Sequence, residues 1–361
     1  IEQGLFVFEL GGVSIIHEDV LDVDFENDGP YVNFSATVES FDGNVEEVTL
    51  YYSIDNINWN DVTMYNNSSF NGYDVVMTFD QAGILVYYYI TASNDIGQSS
   101  RYPVSENENV MFVYGDLPDI VIDDFEINNG WIVESDATSG LWELVEPNPT
   151  YDDGILAQTD FDHSEFGENC FVTGNDEQEN NSGQDDVDGG STTLLSPVYD
   201  LSNYDNVMLT YWRWYTNNLG NNPGTDIWQV QVTNDGNNWN NLEFINQSNP
   251  SWKRERFVLG DYINLSNQVQ FKFIASDLLY DGDVGSGGSL VEAAVDDFKL
   301  EAIAFDLIIG DINLDGEVNV LDVVSLVNVI LGTQSSESAD INSDGEVNVL
   351  DVVNLVNLIL G

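Results

Sequence analysis

The feature that most constrains this chain is a duplication at its C-terminal end. GDINLDGEVNVLDVVSLVNVILG is followed, after a short polar spacer, by ADINSDGEVNVLDVVNLVNLILG, and the two agree at nearly every position. Self-similarity this close marks one supersecondary unit used twice. Each copy opens on a loop in which oxygen-bearing side chains alternate and then meet a glycine. Asp311, Asn313 and Asp315 occupy loop positions one, three and five, Gly316 makes the turn, Glu317 offers its backbone carbonyl, and Asp322 closes the loop at position twelve. The second copy repeats this with Asp340, Asn342, Asp344, Gly345, Glu346 and Asp351. Calcium takes six to eight oxygen ligands, and this spacing curls carboxylates and a carbonyl around one point. The repeat therefore predicts two Ca2+ ions.

A helix is expected after each loop. Between Val320 and Leu331 only Asp322, Ser325 and Asn328 are polar, and in the second copy only Asp351, Asn354 and Asn357 interrupt the apolar run. A helix with one buried face needs an apolar stripe of roughly 100° or more, whereas here the polar arc is the narrow one. A module this small cannot hide so much Val, Leu and Ile within itself, so part of that surface is expected to meet a partner.

The tandem loops, the Asp in place of Glu at position twelve and the missing entering helix resemble a type I dockerin, the module with which secreted bacterial proteins plug into a cohesin partner. The resemblance covers roughly the last fifty-five residues. It implies calcium binding and docking, with Val320, Leu321, Val349 and Leu350 at loop positions ten and eleven, where dockerins present partner-reading residues. Small polar residues are common there. Apolar pairs imply a greasier and more lasting contact, with a cohesin-like β-sandwich or with a neighbouring copy of this chain.

Composition bounds the rest. The 361 residues carry 64 Asp plus Glu against 7 Lys plus Arg, a formal charge of −57, yet 42% are hydrophobic. Such a chain has cores to build, and its length suits two or three domains. The charge argues against nucleic acid, whose phosphates need Lys and Arg, and against anionic membrane surfaces. Self-repulsion on this scale calls for bound cations. Cys170 is the single cysteine, so no intrachain disulfide forms. No apolar run reaches membrane-spanning length. A first residue of Ile rather than Met reads as a mature or excised piece of an exported precursor, and the localisation expected is extracellular.

Residues 1–116 alternate apolar and polar positions in GLFVFEL, YVNFSATV, VEEVTLYYSI, YDVVMTF and ILVYYYITAS, with Gly, Asn and Asp between the runs. This is the spacing of a β-sandwich. The pattern resembles the immunoglobulin or fibronectin III-like domains of secreted bacterial peptidases. Trp59 and Tyr87 to Tyr89 read as core and strand-face residues, and Leu5 to Leu10 as a strand lying before the sandwich. After the linker Gly115-Asp116-Leu117-Pro118-Asp119, residues 117–304 again alternate, with long loops rich in Asp, Asn and Gly. The phrases DDFEINNGWIVESDATSGLWELVEP, DVDGGSTTLLSPVYDLS, LTYWRWYTNN and LVEAAVDDFKL resemble the jelly-roll, similar to MAM and laminin G-type sandwiches, found at the C-terminus of secreted bacterial metallopeptidases. That resemblance implies a calcium held between first and last strands by Asp123, Asp124, Glu126, Asp296 and Asp297. A second candidate is the tight turn with Asp185, Asp186 and Asp188 before Gly189 and Gly190, where hard oxygen ligands crowd together.

Candidate catalytic groups are sparse. Of two histidines, His17 and His163, neither stands in a zinc-type motif, and His163 reads as a solvated loop histidine among acids. No G-x-S-x-G elbow, P-loop or dinucleotide fingerprint occurs. Trp212 and Trp214 share one side of a strand and read more as a core layer than as a sugar platform. The cations at Lys253, Arg254 and Arg256 are expected to pair with local acids or a neighbour.

The fold expected is mainly β: an immunoglobulin-like sandwich (1–116), a jelly-roll sandwich (117–304) and a small α-helical dockerin-like module (305–361). The function expected is a non-enzymatic, calcium-stabilised structural or adhesive protein that docks through its C-terminus, even head-to-tail into a fibre. The alternatives are the targeting tail of a secreted metallopeptidase and a carbohydrate-binding module.

Overall fold

The structure is a computed structural model that describes residues 12–25, 27–68, 72–79, 81–175, 183, 185–220, 222–278, 289–303, 310, 312, 318–331, 339, 341–342 and 347–360. It divides into two compact units, Ile1–Ile303 and Ala304–Gly361. The first is built of antiparallel sheets and the second of two helices, so the chain is mainly β with a small helical end.

Alternating runs become strands in the first part of unit one. Its strands are β1 (Val13–His17), β2 (Val32–Ser40), β3 (Val45–Ser53), β4 (Asn60–Thr63), β5 (Tyr65–Asn67), β6 (Gly72–Met77), β7 (Ile84–Asn94), β8 (Ser99–Tyr102) and β9 (Val110–Tyr114). One sheet has the order β1-β2-β6-β5 and the other β4-β3-β7-β8, with β9 also on β7. Along β2 and β7 every second residue is buried, as a strand with one core face requires. Phe34, Leu50, Val86, Tyr88, Ile90 and Phe112 fill the space between these sheets. Of the tyrosine triplet only Tyr88 lies in that core; Tyr89 stacks on Tyr51 on the opposite face, with the Arg101 guanidinium 4.2 Å over it. The strand expected at Leu5 to Leu10 lies outside the described residues.

The second part contains β10 (Asp119–Asp123), β11 (Ile132–Ser135), β12 (Trp142–Val145), β13 (Thr150–Asp152), β14 (Ile155–Gln158), β15 (Cys170–Thr173), β16 (Gly190–Leu195), β17 (Asn206–Gly220), β18 (Ile227–Thr233), β19 (Trp239–Ile245), β20 (Asn249–Val258), β21 (Gln270–Asp277) and β22 (Ser289–Ile303). One sheet runs β12-β15-β22-β17-β20 with β10 added to β22, and the other runs β11-β16-β21-β18-β19. Trp131, Tyr215, Trp228, Phe271, Phe273 and Phe298 pack between them. An ion pair is buried in this core: Arg213 on β17 reaches Glu243 on β19 at 3.1 Å, and Glu243 also accepts from Tyr211 Oη and Trp228 Nε1. Each carboxylate oxygen is thus held by donors from the facing or adjacent strand, which is what a buried charge needs.

A third, smaller apolar cluster joins the two sandwiches, made by Leu85, Val113 and Leu117 against Met208, Val258 and Ile303. Beside it Asp22 binds Arg254 at 2.8 Å and Arg256 at 2.7 Å, so two of the three clustered cations pair across this joint. Burial acts to raise the Asp22 carboxyl, but Arg256, the Val113 N–H and Arg254 together hold it below its ordinary value.

Glu243→Gln should lower the unfolding free energy of the β unit by about 3–5 kcal/mol, because the Arg213 charge stays buried; denaturant titration followed by tryptophan fluorescence measures it. Asp22→Asn should cost less, about 1–3 kcal/mol. Since the folded carboxyl of Asp22 titrates below the unfolded one, its contribution is complete above the ordinary value and lost as pH falls through the folded value. The difference between parent and Asp22→Asn should therefore vanish in acid.

Candidate functional site

The acids expected between the first and last strands separate into two groups. Asp123 turns inward and accepts from Trp131 Nε1 at 2.8 Å and Asn129 Nδ2 at 3.1 Å, tying the end of β10 to the core. Asp124 is exposed, and its carbonyl meets Ser164. Glu126 accepts from the N–H groups of Glu168 and Asn169, both at 3.0 Å. Asp296, fully buried, accepts from the N–H of His163 at 2.6 Å and of Ser164 at 3.1 Å, and burial raises its carboxyl to about 7. Asp297 accepts from His163 Nδ1 and Ser164 Oγ. The 162–169 loop thus gathers Glu126, Asp296 and Asp297, and adds Asp162, which no motif singles out. Asp162 is raised by burial and then by Glu126 and Asp297.

His163 differs from its expected place. It is stacked on Trp212, ring centroids 3.7 Å apart, with Trp252 edge-on at 5.9 Å. Regular alternation along β17 decides this, and the bulge opposite Tyr211 lies in β22, where Asp297 and Phe298 face one residue of β17. Tyr211, Arg213 and Tyr215 point between the sheets, while Trp212 and Trp214 take the outer face. Trp214 is covered there by the β13–β14 hairpin and donates to the Ala157 carbonyl, and Trp212 is left to line a cleft of about 670 Å³ with Asp22, Arg254, Arg256, Asp297 and Lys299.

The turn at Asp185, Asp186 and Asp188 lies against strand ends of both sheets. Asp186 and Asp188 are buried, the Asp186 carboxyl feels the charges of Asp188 and of Asp277 at the end of β21, and Glu292 of β22 lies beside Asp186. Asp277 and Glu292 carry no motif and are far away in sequence.

In the second unit, α1 (Val320–Ile330) and α2 (Val349–Leu360) follow the two loops. Asn319 caps α1 by accepting from the Leu321 N–H, and Asp322 reaches back to the Asn319 N–H at 2.8 Å, a reciprocal capping box. The other Asp322 oxygen accepts from Ile312 N at 2.8 Å. Asp351 repeats this with the N–H groups of Asn348 at 2.8 Å and Asn342 at 3.3 Å. Both carboxylates are fully buried. Each fastens its loop to the start of its helix. The donor set of carboxylate and amide oxygens fits a hard cation. Asp311, Asn313, Asp315, Glu317, Asp340, Asp344 and Glu346 lie outside the described residues.

Residues 309–360 match the dockerin type I domain. No curated protein matches the chain. Solved structures similar to it include a family 11 carbohydrate-binding module from Clostridium thermocellum in complex with a mixed-linked tetrasaccharide, at 12% identity over 51% of this chain and 95% of that one, TM-score 0.30. Another is TmCBM61 in complex with β-1,4-galactotriose, at 13% identity over 48% of this chain and 89% of that one, TM-score 0.28. A likeness of this extent assigns this chain no ligand.

The dockerin core is small. Leu326 and Leu355 are fully buried with Ile312 and Ala339, and Val323, Ile330, Val352 and Ile359 pack around them. The opposite face of α1 presents Val320, Val324, Val327 and Leu331, with Leu321 beside them, all exposed. Their spacing of four, three and four residues puts them on one stripe. On α2, Val349, Val353 and Leu360 repeat the stripe, with Leu350 alongside. Both pairs expected to read a partner, Val320 with Leu321 and Val349 with Leu350, thus stand open to solvent, at 56–67% of their full exposure.

Asp322→Ala and Asp351→Ala each remove a reciprocal cap and a loop anchor. Each should destabilise the dockerin by about 1–2 kcal/mol, read as loss of helical ellipticity on mild heating.

Proposed function

We propose that this chain is a non-catalytic, extracellular docking protein whose β unit is delivered to a partner by its calcium-stabilised dockerin. The observation that carries this is the doubled apolar stripe. Two helices that already have a core between them keep a second row of Val and Leu in water, and such a surface is stabilised when a complementary apolar face covers it. Type I dockerins bind cohesins, and a cohesin-like β-sandwich is the occupant proposed here. Val320, Leu321, Val349 and Leu350 would lead the contact, and the valines one turn on would extend it.

Calcium belongs to this reading as a structural ion. Asp311, Asn313, Asp315, Glu317 and Asp322 would hold one ion, and Asp340, Asn342, Asp344, Glu346 and Asp351 the other, each neutralising carboxylates that a small core cannot keep apart. The protein's own contribution is the pair of buried anchors, which set the first turn of each helix and so the direction in which the stripe faces. Similar structural ions are proposed for Asp124, Glu126 and Asp297 at the strand-end acids.

The test is binding to a panel of immobilised type I cohesins with calcium present. Val324→Asp with Val353→Asp should weaken capture at least about 100-fold, since a desolvated charge in an apolar contact costs several kcal/mol, while helical ellipticity is retained. Parental capture by this variant would overturn the reading. Concentration-dependent mass in light scattering, abolished by the same variant, would make a second copy the occupant; propagation into a fibre draws no support from the described residues.

A second reading concerns the cleft beside Trp212. One aromatic face among Arg254, Lys299 and Asp297 is the mixture of apolar plane and fixed polar groups that small-molecule sites use, and a sugar ring suits it. Trp212→Ala should abolish any glycan-array signal of the parent. Chelation should melt the dockerin before the β unit, giving a first heat-denaturation step that calcium shifts upward and a second that the loops do not govern.

A further inference from the structure

The cleft beside Trp212 is built by both sandwiches of the β unit. Its floor is the outer face of β20, β17 and β22, where cross-strand pairing puts Arg254 beside Trp212 and sets Arg256, Thr210 and Lys299 in the next row. Its wall comes from the first sandwich and the linker, through Asp22, Val113 and Leu117. Asp22 is held there by backbone. The Val23 N–H donates to the Val113 carbonyl and the Gly115 N–H to the Val23 carbonyl, both at 2.9 Å, and the Val113 N–H donates to the Asp22 carboxylate at 2.8 Å. The carboxylate is thus fixed at the edge of β9 and meets β20.

From that place Asp22 decides how Arg254 stands. Arg254 gives Nη1 to Asp22 Oδ2 at 2.8 Å, while its Nε and Nη2 have no partner among the described residues. Arg256 gives Nη1 to the other oxygen at 2.7 Å and Nη2 to the Met111 carbonyl at 3.3 Å, so it is spent on the joint. Arg254 accordingly keeps 33% of its exposure against 13% for Arg256. A guanidinium is a rigid fork of five donors, and one held through a single nitrogen has donors left for a second acceptor.

The charges of the cleft are matched within it. Asp22 takes both arginines, and Lys299 is shared by Asp119 at 2.8 Å and Glu301 at 2.7 Å. An anionic ligand would compete with these carboxylates and approach a chain of formal charge −57, and a cationic one would meet Arg254 and Lys299. Hydroxyl groups, which donate and accept, suit such a lining, and the C–H face of a sugar ring suits an indole. His163, stacked on Trp212 at 3.7 Å between ring centroids, holds that indole in place.

We propose that the first sandwich completes this site: an uncharged sugar ring packs against Trp212 and accepts from the free edge of Arg254, which Asp22 orients from across the joint. The inference rests on the sugar reading of the cleft and adds that binding needs both sandwiches. Trp212 and Arg254 touch the ligand, and Asp22 is a positioning residue. A ring bound there also ties one sandwich to the other.

Isothermal titration of the full chain with cellohexaose, xylohexaose and galactohexaose, and with hexagalacturonate and a glucosamine hexamer as charged counterparts, tests it. A neutral hexasaccharide should bind, and the charged ones at least about tenfold more weakly. Trp212→Ala should abolish binding. Asp22→Asn should weaken it about tenfold, and Asp22→Glu should recover part of the loss. Arg254→Lys keeps a cation for Asp22 but loses the outward donors; it should melt with the parent yet bind about tenfold more weakly, a split that a merely structural arginine would not give. With sugar present, amide exchange should slow at Val113 and Gly115 as well as along β17 and β20. Binding that is lost in Trp212→Ala but parental in Arg254→Lys and Asp22→Asn, with no slowing at Val113, would leave the sugar reading standing and overturn this one. Failure of every probe to bind the parent, or parental binding by Trp212→Ala, would overturn both. Tightest binding of a charged hexamer would overturn the assignment of an uncharged ring.

Discussion

Neutralising carboxylates with very few cations is the condition on which the rest of this protein rests. With 64 acids and seven Lys or Arg, positive side chains are scarce. The described contacts show where they go. Arg213 joins the two sheets of the second sandwich through Glu243, Arg254 and Arg256 join the two sandwiches through Asp22, and Lys299 joins β10 to β22 through Asp119. Of these joints Arg213 with Glu243 is the buried one, where desolvation makes a pair of charges matter more than at an exposed site. Elsewhere carboxylates accept backbone and side-chain N–H groups, as Asp55 and Asp235 do in their turns, or remain in water.

The same condition links the acids to function. Asp322 and Asp351 are buried in a module with little core, and their oxygens close the helix starts. The carboxylates set the helices, the helices carry the apolar stripes, and the stripes offer the docking surface. A cation in each loop would stabilise this chain of dependence at its first link.

Much of this was legible in the residues. Alternation marked β2, β3, β6 and β7, because one face of each is buried and the period of a strand is two. The repeat marked both helices, and the excess of Val and Leu marked the exposed stripe, because a helix with little polar arc must leave apolar surface uncovered in so small a unit. Other features were illegible for equally physical reasons. His163 read as a solvated loop residue, yet it stacks on Trp212. Trp212 read as a core layer, yet Leu209, Tyr211 and Tyr215 take the core face of β17 and leave it outside. Asp162, Asp277 and Glu292 carry no local motif, and only the return of β21 and β22 brings the last two beside Asp186.

By itself, then, the sequence determined what depends on near neighbours: the period of the strands, the two loops with their helices, the shortage of positive charge and the surplus of apolar helix surface. Tertiary structure decided which acids meet and which cation serves which joint, since Asp22 and Arg256, or Asp186 and Glu292, are distant along the chain and become neighbours only through strand register. Local periodicity reports which way a side chain faces. What it then faces is set by pairing across the sheet and by packing between sheets.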